Sequence, residues 1–532
     1  VTTTMATALG PERTDTAGRQ DGVAGRIARN MLSRSARQVV NGVVGFVLVP
    51  LFVRHLGAAA YGIWVLAQSM VQYLNMLELG LTTTLTRHVA AARGTGDYGE
   101  ANRVLGQLSL ILWGLAGLVA AATVGGVFVL PGCLALAPAQ VSLFQAAFLM
   151  IGTQAAMGLG MKVWDSLIAA EEDYHVLNGV YIVGTVARFG YSVVLLRSGH
   201  GLLSLLGAQF AVLGAMWVAV VWFVHRRYPR LRLRPAWYGW SEAKSLLTFS
   251  TAVLLGQAGG LLATETDKVI AGAVLGPVAV AVYQVGYRLY SVAVDTLASP
   301  INVLLPTAAG MAARGEQDRL RRLLSHCNAV MVGLLGAAYV PLLLYGGAIV
   351  HLWVGPRFAA SARVLAYLSA GVLVTVHNWP MSAVLWGMSD YWVVVWITVA
   401  CAVLKVVLSA VLCVRHGVVG IAAGMPLAAV PLQVVYTAYA LRRFHIGLWA
   451  YAGRAWLGAA AGGFGGWCLV QVLCGRETPD SWAGVCFRLG AFQVGYWACM
   501  WLLGFSAATR QHLVAIVLRK GSRPAKAELP AR

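Results

Sequence analysis

The sequence predicts an all-α polytopic membrane protein of about 14 transmembrane helices, built as two parallel six-helix repeats plus two extra C-terminal helices. Three observations carry this expectation. Of 532 residues, 59% are apolar and 11% charged, where soluble domains carry roughly a quarter charged residues. The apolar residues lie in stretches of about 20, long enough to cross the ~30 Å hydrocarbon core of a bilayer. Short motifs also recur at one nearly constant spacing along the chain.

Read with a window of about 19 residues, candidate spans centre near Gly45, Met70, Gly117, Thr153, Val186, Leu213, Gln257, Val294, Leu335, Leu373, Val403, Leu427, Phe464 and Tyr496. Thirteen or twelve spans also fit, because Gly and Pro interrupt the last third. The expected organisation is a basic cytoplasmic tail (1–33), an N-terminal six-helix bundle (34–230), a C-terminal six-helix bundle (231–446), transmembrane helices 13 and 14 (447–510) and a second basic cytoplasmic tail (511–532). The amino-terminal tail and the end from Arg519 to Arg532 read as disordered. Residues 1–30 lack the apolar core of a signal peptide, so no cleavage is expected.

Net charge is +20, which in a soluble chain would suggest nucleic acid. Here the basic residues are divided among short loops, where they set topology and meet lipid headgroups; nucleic acid is not an expected partner. With a cytoplasmic N terminus, 29 Lys and Arg fall inside and 7 outside, leaving Arg188, Lys268, Arg288 and Lys405 within or at the edge of spans. Both termini are therefore placed in the cytoplasm. The longest inner connection, Arg226 to Lys244, is basic and aromatic (HRRYPRLRLRPAWYGW from His225). It reads either as a segment lying on anionic headgroups or as a solvated linker.

The eight cysteines include no Cys-x-x-Cys pair and there is no His cluster at ligand spacing, so no metal or other cofactor is expected. Cys474 and Cys486 flank an expected outer loop, which leaves a disulfide or plain packing open.

The repeat appears in three places. AARGTGD at Arg93-Gly94 matches AARGEQD at Arg314-Gly315, an offset of 221; His200-Gly201 matches His416-Gly417 at 216; Leu56-Gly57 matches Leu275-Gly276 at 219. Any single match is weak in an Ala/Gly-rich chain, but a shared offset at matching topological positions points to duplication. Six spans per half is an even number, so both halves enter from one side as parallel repeats that can rock about a central cleft. That is a transporter's architecture rather than a pore's.

The segment from Arg34 to Ala90, with Asn41, Leu56-Gly57, Tyr61-Gly62 and MLELGLTTTLTRHVA, resembles the opening of the polysaccharide transporter (Wzx-type) flippases of the multidrug, oligosaccharidyl-lipid and polysaccharide exporter superfamily. The family's acid-Leu-Gly-Leu run and following Arg would be Glu78, Leu79, Gly80, Leu81 and Arg87, with Glu where Asp is usual. Thr266-Asp267-Lys268, Leu275-Gly276-Pro277, Tyr283, LWVGPRF (352–358) and the Gly417/Gly420 pair extend the resemblance through about residue 445. It implies alternating access that carries a lipid-linked oligosaccharide pyrophosphate from the cytoplasmic to the outer leaflet of a bacterial inner membrane, often coupled to Na+ or H+. No Gly-x-x-Arg-Asp run of the kind lipid II flippases tend to show stands in the first two spans, which ranks the peptidoglycan-precursor cargo second.

Apart from that resemblance, charges at bilayer depth cost a few kcal/mol and normally face water or a partner. Arg188 sits near the middle of span five and is the first candidate for cargo contact. Arg288 and Lys405 complete an expected cationic, substrate-binding set suited to a diphosphate headgroup, with snorkelling open as an alternative for Lys405. Arg288 and Asp295, seven residues apart, share one helix face. Glu78, Glu265, Asp267, Lys268 and Asp295 are candidates for ion coupling or for local ion pairs, Glu265 and Lys268 as i,i+3 neighbours. Tyr283, Tyr287, Tyr290 and Trp386 read either as sugar-stacking platforms or as interfacial anchors. GGFGGW (462–467) allows close helix packing, either to form a lipid-tail groove or to pad the bundle.

Two other classes compete. A membrane glycosyltransferase or polymerase needs an outer loop with acid/base residues, and the longest, Cys474 to Cys486, offers only Arg476, Glu477 and Asp480; an enzyme is not expected. A cation-coupled multidrug exporter of the same superfamily would want an anionic cavity, which Glu265, Asp267 and Asp295 favour and Arg188, Arg288 and Lys405 oppose.

Overall fold

The computed structural model describes residues 15–511 and 514, except 79–80, 96–97, 232, 241–257, 299–303, 377, 389–391 and 508. Leu79, Gly80 and Lys244 lie outside the described residues. All regular structure among those described is helical. The helices are α1 (Asp15–Asn75), α2 (Leu81–Thr95), α3 (Tyr98–Val129), α4 (Pro138–Ala170), α5 (Tyr174–Arg197), α6 (Leu202–Arg227), α7 (Thr266–Val274), α8 (Pro277–Ala298), α9 (Leu304–Ala313), α10 (Gln317–Val354), α11 (Ala359–Thr375), α12 (Asn378–Gly387), α13 (Trp392–Phe444), α14 (Arg454–Cys474) and α15 (Trp482–Cys499).

Among the described residues nine helices are long and apolar enough to cross a membrane. Two of them are too long for one crossing: Arg29–Glu78 has 50 residues and Trp392–Phe444 has 53, roughly 75–80 Å at 1.5 Å per residue. Each is broken at a glycine in the left-handed region, Gly57 (φ 80) and Gly417 (φ 60). A side chain is strained there and glycine is not. Gly276, at the position matching Gly57 in the repeat, has φ 84 and separates α7 from α8. Glycines of the motifs that recur in the sequence thus stand where the helices break.

The stretch expected as a disordered amino-terminal tail is helical from Asp15 onward. Tertiary bonds anchor its last part: Asn30 donates to the Glu172 carbonyl at 2.8 Å and accepts from the His175 amide at 3.2 Å. Of the second tail, residues 515–532 lie outside the described residues.

The chain divides into two compact units. Unit 1 comprises 1–51, 74–127 and 146–254; unit 2 comprises 52–73, 128–145 and 255–532. The core of unit 1 joins α2, α3, α4 and α6 through Leu85, Leu105, Leu112, Leu167 and Val224. The described part of the basic-aromatic connection after α6, residues 228–239 apart from 232, belongs to this unit and is not helical. It straps across the start of α3, with Ala236 N–H donating to Gly106 O at 3.3 Å and Gln107 donating to Gly239 O at 2.9 Å. Gly106 permits the approach, since a Cβ there would stand 2.5 Å from the Arg234 carbonyl. Trp237 and Trp240 stack on each other and remain exposed.

In unit 2 one core joins α10, α11, α14 and α15 around Leu335, Tyr339, Phe492 and Tyr496, and another joins α9, α10, α12 and α13 around Leu324, Val384 and Tyr436. Gly458, Gly462 and Gly466, one turn apart on α14, meet Gly504, Tyr496 and Phe492; small residues let the helix axes close up as membrane packing requires. All eight cysteines are free, Cys474 and Cys486 included. In the AARGEQD turn, Glu316 bonds Arg314 at 2.7 Å and Arg319 at 2.9 Å, and those guanidinium groups hold its carboxyl below the usual carboxylate range.

Also in unit 2, residues 52–73 pack on the α7–α8 corner. A Cβ at Gly62 would fall on the Pro277 carbonyl, and one at Gly272 would stand 2.6 Å from the Leu66 side chain. Backbone cannot yield as a flexible side chain can, so overpacking should cost at least the usual ~1–3 kcal/mol at Gly62. Gly62→Val should lower the melting temperature of the detergent-solubilised protein by several degrees, and Gly272→Val by less. Equal melting of Gly62→Val and the unsubstituted protein would refute the packing.

Candidate functional site

Span seven is interrupted. Residues 258–264 are helical, Glu265 is a turn, and α7 restarts at Thr266. A break of this kind exposes backbone carbonyls and is tolerated at membrane depth only where other groups satisfy them. Here the Lys405 ammonium, buried on α13, donates to the Ala263 carbonyl and pairs with Asp267 at 2.8 Å. Asp267 is fully buried, and its Oδ2 also accepts from the Tyr283 hydroxyl on α8. Its other oxygen, Oδ1, is buried with no hydrogen-bond partner among the described residues.

Lys268, next along α7, pairs with Glu265 at 2.7 Å and stands 4.6 Å from the centre of the Tyr287 ring. Thr266 shares a 2.5 Å hydrogen bond with Tyr73. Two carboxylates and two ammonium groups therefore balance within one buried cluster, each acid held by a lysine. Lys405, expected to line a cationic cavity, has its charge matched in this conformation. Glu265 and Lys268 form the i,i+3 pair that their spacing allows.

The α8 tyrosines stack mainly on one another. Tyr283 and Tyr287 are 6.2 Å apart, Tyr287 and Tyr290 5.8 Å, and Tyr290 meets Tyr339 at 5.8 Å. Tyr283 is buried and offers no open platform, while Trp386 is half-buried against the core around Val384. Arg288, one turn after Gln284, is half-buried in the same unit within electrostatic reach of Tyr61. Asp295 stands on α8, but its side chain lies outside the described residues.

Unit 1 carries a second polar seam. On α1, Asn30, Ser33, Arg37 and Asn41 recur at helical spacing; on α5, Asn178, Tyr181, Thr185 and Arg188 do the same. The two stripes meet. Asn178 donates to Ser33 at 3.0 Å, Arg37 donates to Asn178 at 3.4 Å and lies 4.0 Å from the centre of the Tyr181 ring, and Thr185 donates to Asn41 at 2.8 Å. Tyr181 donates to Asp165 at 2.6 Å, while Glu78 pairs with Lys162 and accepts from Thr82 at 2.5 Å. Arg188 continues the α5 stripe one turn past Thr185 and is exposed. No carboxylate pairs with it among the described residues.

The structure thus brings together Glu265, Asp267, Lys268 and Lys405 in unit 2, and places Arg188 and Glu78 in unit 1. Sequence reasoning missed Arg37, Lys162, Asp165, Asn178 and Tyr181, and treated Asn41 only as part of a motif. The available signal was the polar i, i+3/i+4, i+7 spacing on α1 and α5.

A family model described as a polysaccharide biosynthesis protein matches residues 27–311, and one described as lipid II flippase MurJ matches residues 181–474. No curated protein matches in sequence. Among solved structures, a lipid II flippase MurJ in an inward closed conformation aligns at TM-score 0.67 and 9% identity, covering 91% of this chain and 99% of that one. An inward-facing multidrug resistance MATE family transporter of the MOP superfamily aligns at 0.62 and 13%, covering 76% and 98%. A MOP superfamily transporter from Pyrococcus furiosus, whose binding pocket is described as reversed in polarity, aligns at 0.53 and 13%, covering 79% and 94%. At these identities the likeness shows a shared fold. Each family model spans more than half of the chain, so the chain belongs to the families described as polysaccharide biosynthesis protein and lipid II flippase MurJ, and its long apolar helices make it a multi-pass membrane protein.

Proposed function

We propose that this protein carries a lipid-linked oligosaccharide, a polysaccharide or O-antigen precursor, from the cytoplasmic to the outer leaflet of a bacterial inner membrane by alternating access. It acts as a transporter and not as an enzyme. Its cargo partner is the diphosphate headgroup, its setting the membrane lipids. The observation that carries this reading is charge balance: Glu265, Asp267 and Glu78 are each paired with a lysine, while Arg188 is exposed with no acid paired to it among the described residues. A surplus of guanidinium suits an anionic diphosphate and repels a lipophilic cation. Arg188 and Arg288 contact the cargo headgroup; Lys405 joins them when Asp267 releases it.

The Glu265–Asp267–Lys268–Lys405 cluster is where an H+ or Na+ gradient couples, with Asp295 on the neighbouring helix. The orphaned Asp267 Oδ1 is the place for that charge to act. Lipid II is a second cargo, favoured by the match over residues 181–474; it offers the same diphosphate chemistry.

Binding to the full-length protein in nanodiscs tests the reading. A polyprenyl-diphosphate oligosaccharide should bind saturably and a lipophilic cation such as ethidium should not compete. Tight ethidium binding with none of the diphosphate lipid would favour the multidrug exporter instead.

A further inference from the structure

Unit 2 holds a cavity of about 360 Å³ that the transport reading does not use. It lies at the start of α10, beside the end of α13, the start of α14 and the segment after α15, and on the topology argued above it opens at the cytoplasmic face. Arg321, Arg322, His326, His445 and Arg454 line it, and no carboxylate does among the described residues. Its size falls within the ~300–1,000 Å³ typical of small-ligand sites.

The backbone around the cavity is shaped by departures from regular helix. Residues 449–453 and 500–504 are π-helical turns on two sides of it, a feature that often marks functional sites. His445, a non-glycine residue, takes φ 50, a conformation that costs free energy and persists only where its surroundings enforce it. Ser506 and Thr509 also line it, their hydroxyls hydrogen-bonded to each other at 2.8 Å and Thr509 N–H donating to Ser506 Oγ at 3.1 Å.

Three guanidinium groups around one cavity repel one another unless an anion sits among them. The nearest acid contact does not supply it: Asp318, itself largely exposed, meets only Arg321 Nη1 at 3.3 Å, and Arg321 Nε is buried with no hydrogen-bond partner. Guanidinium forks match phosphate oxygens in pairs, and serine and threonine hydroxyls complete such a shell. Ala329, Ala455 and Gly504 form an apolar floor.

We propose that this cavity is a phosphate-binding site, separate from Arg188 and Arg288, which takes the phosphate of a ligand arriving from the cytoplasmic side. The ligand's source is either an anionic phospholipid headgroup or a free phosphate compound. The proposal does not rest on the identity of the transported cargo.

Thermal-shift titration of the full-length protein in a neutral detergent tests it, with inorganic pyrophosphate, phosphatidylglycerol and phosphatidylcholine as probes. At least one anionic probe should raise the melting temperature saturably, and phosphatidylcholine should not. A response to pyrophosphate identifies a free phosphate site; a response to phosphatidylglycerol alone identifies a headgroup site. Arg322→Gln/Arg454→Gln should weaken the apparent affinity at least tenfold and Arg357→Gln should leave it unchanged. Should the glutamine pair fail to fold, Arg322→Lys/Arg454→Lys keeps the charge, loses the paired geometry and should weaken binding severalfold. The proposal is overturned if neither anionic probe shifts the protein, or if the Arg322/Arg454 variants bind as the unsubstituted protein does.

Discussion

Arg188→Ala is expected to abolish surface display of the glycan while the protein reaches the membrane in normal amount. Arg188 ends the polar stripe of α5 and is exposed, so its removal opens no core cavity and breaks no ion pair among the described residues. On the proposed function it removes a charge-assisted contact to a diphosphate, worth about 1.5–3 kcal/mol, or roughly 10- to 100-fold in affinity. Arg188→Lys keeps the charge without the paired geometry and should retain part of the activity. Immunoblotting of membranes beside glycan staining of whole cells reads both quantities. Full display by an abundant Arg188→Ala protein would remove this residue from the mechanism.

Asp267→Asn should produce the second large effect, and for the opposite reason. Asp267 is fully buried and Lys405 nearly so, and deleting one member of a buried pair leaves the other charge uncompensated, typically at a cost of about 3–5 kcal/mol. The melting temperature in detergent should fall sharply. Asp267→Asn/Lys405→Met removes both charges and should recover most of that loss, since the pair itself contributes little once desolvation is counted. If the cluster couples transport to an ion gradient, the double variant will be stable and yet fail to respond to the gradient. A stable double variant whose transport still follows the gradient would reduce the cluster to a structural device.

Much of the fold was readable in the sequence because it follows from composition and from glycine. Long apolar runs have one solution in a bilayer, and Gly57, Gly276 and Gly417 mark turns that only a residue lacking Cβ makes cheaply. The i,i+3 pairing of Glu265 with Lys268 was equally visible, being local. The Asp267–Lys405 pair was not, because helical periodicity places a charge on a face without saying which distant helix that face meets. Arg37 was counted as a topology signal, whereas it bonds Asn178 and covers Tyr181. Its true setting appears only when the polar stripes of α1 and α5 are laid against each other. The same limit hid the arginine-lined cavity: Arg321 and Arg322 on α10 and Arg454 on α14 lie far apart in the chain and read as positive-inside residues.

The most direct measurement is transbilayer movement of a fluorescent polyprenyl-diphosphate oligosaccharide in proteoliposomes, followed by quencher accessibility. Protein-containing vesicles should move it at least tenfold faster than empty ones, and vesicles bearing folded Arg188→Ala/Arg288→Ala should match the empty ones. Wild-type speed in that double variant, or no acceleration by the unsubstituted protein under an imposed gradient of either H+ or Na+, would contradict a cationic route for the headgroup.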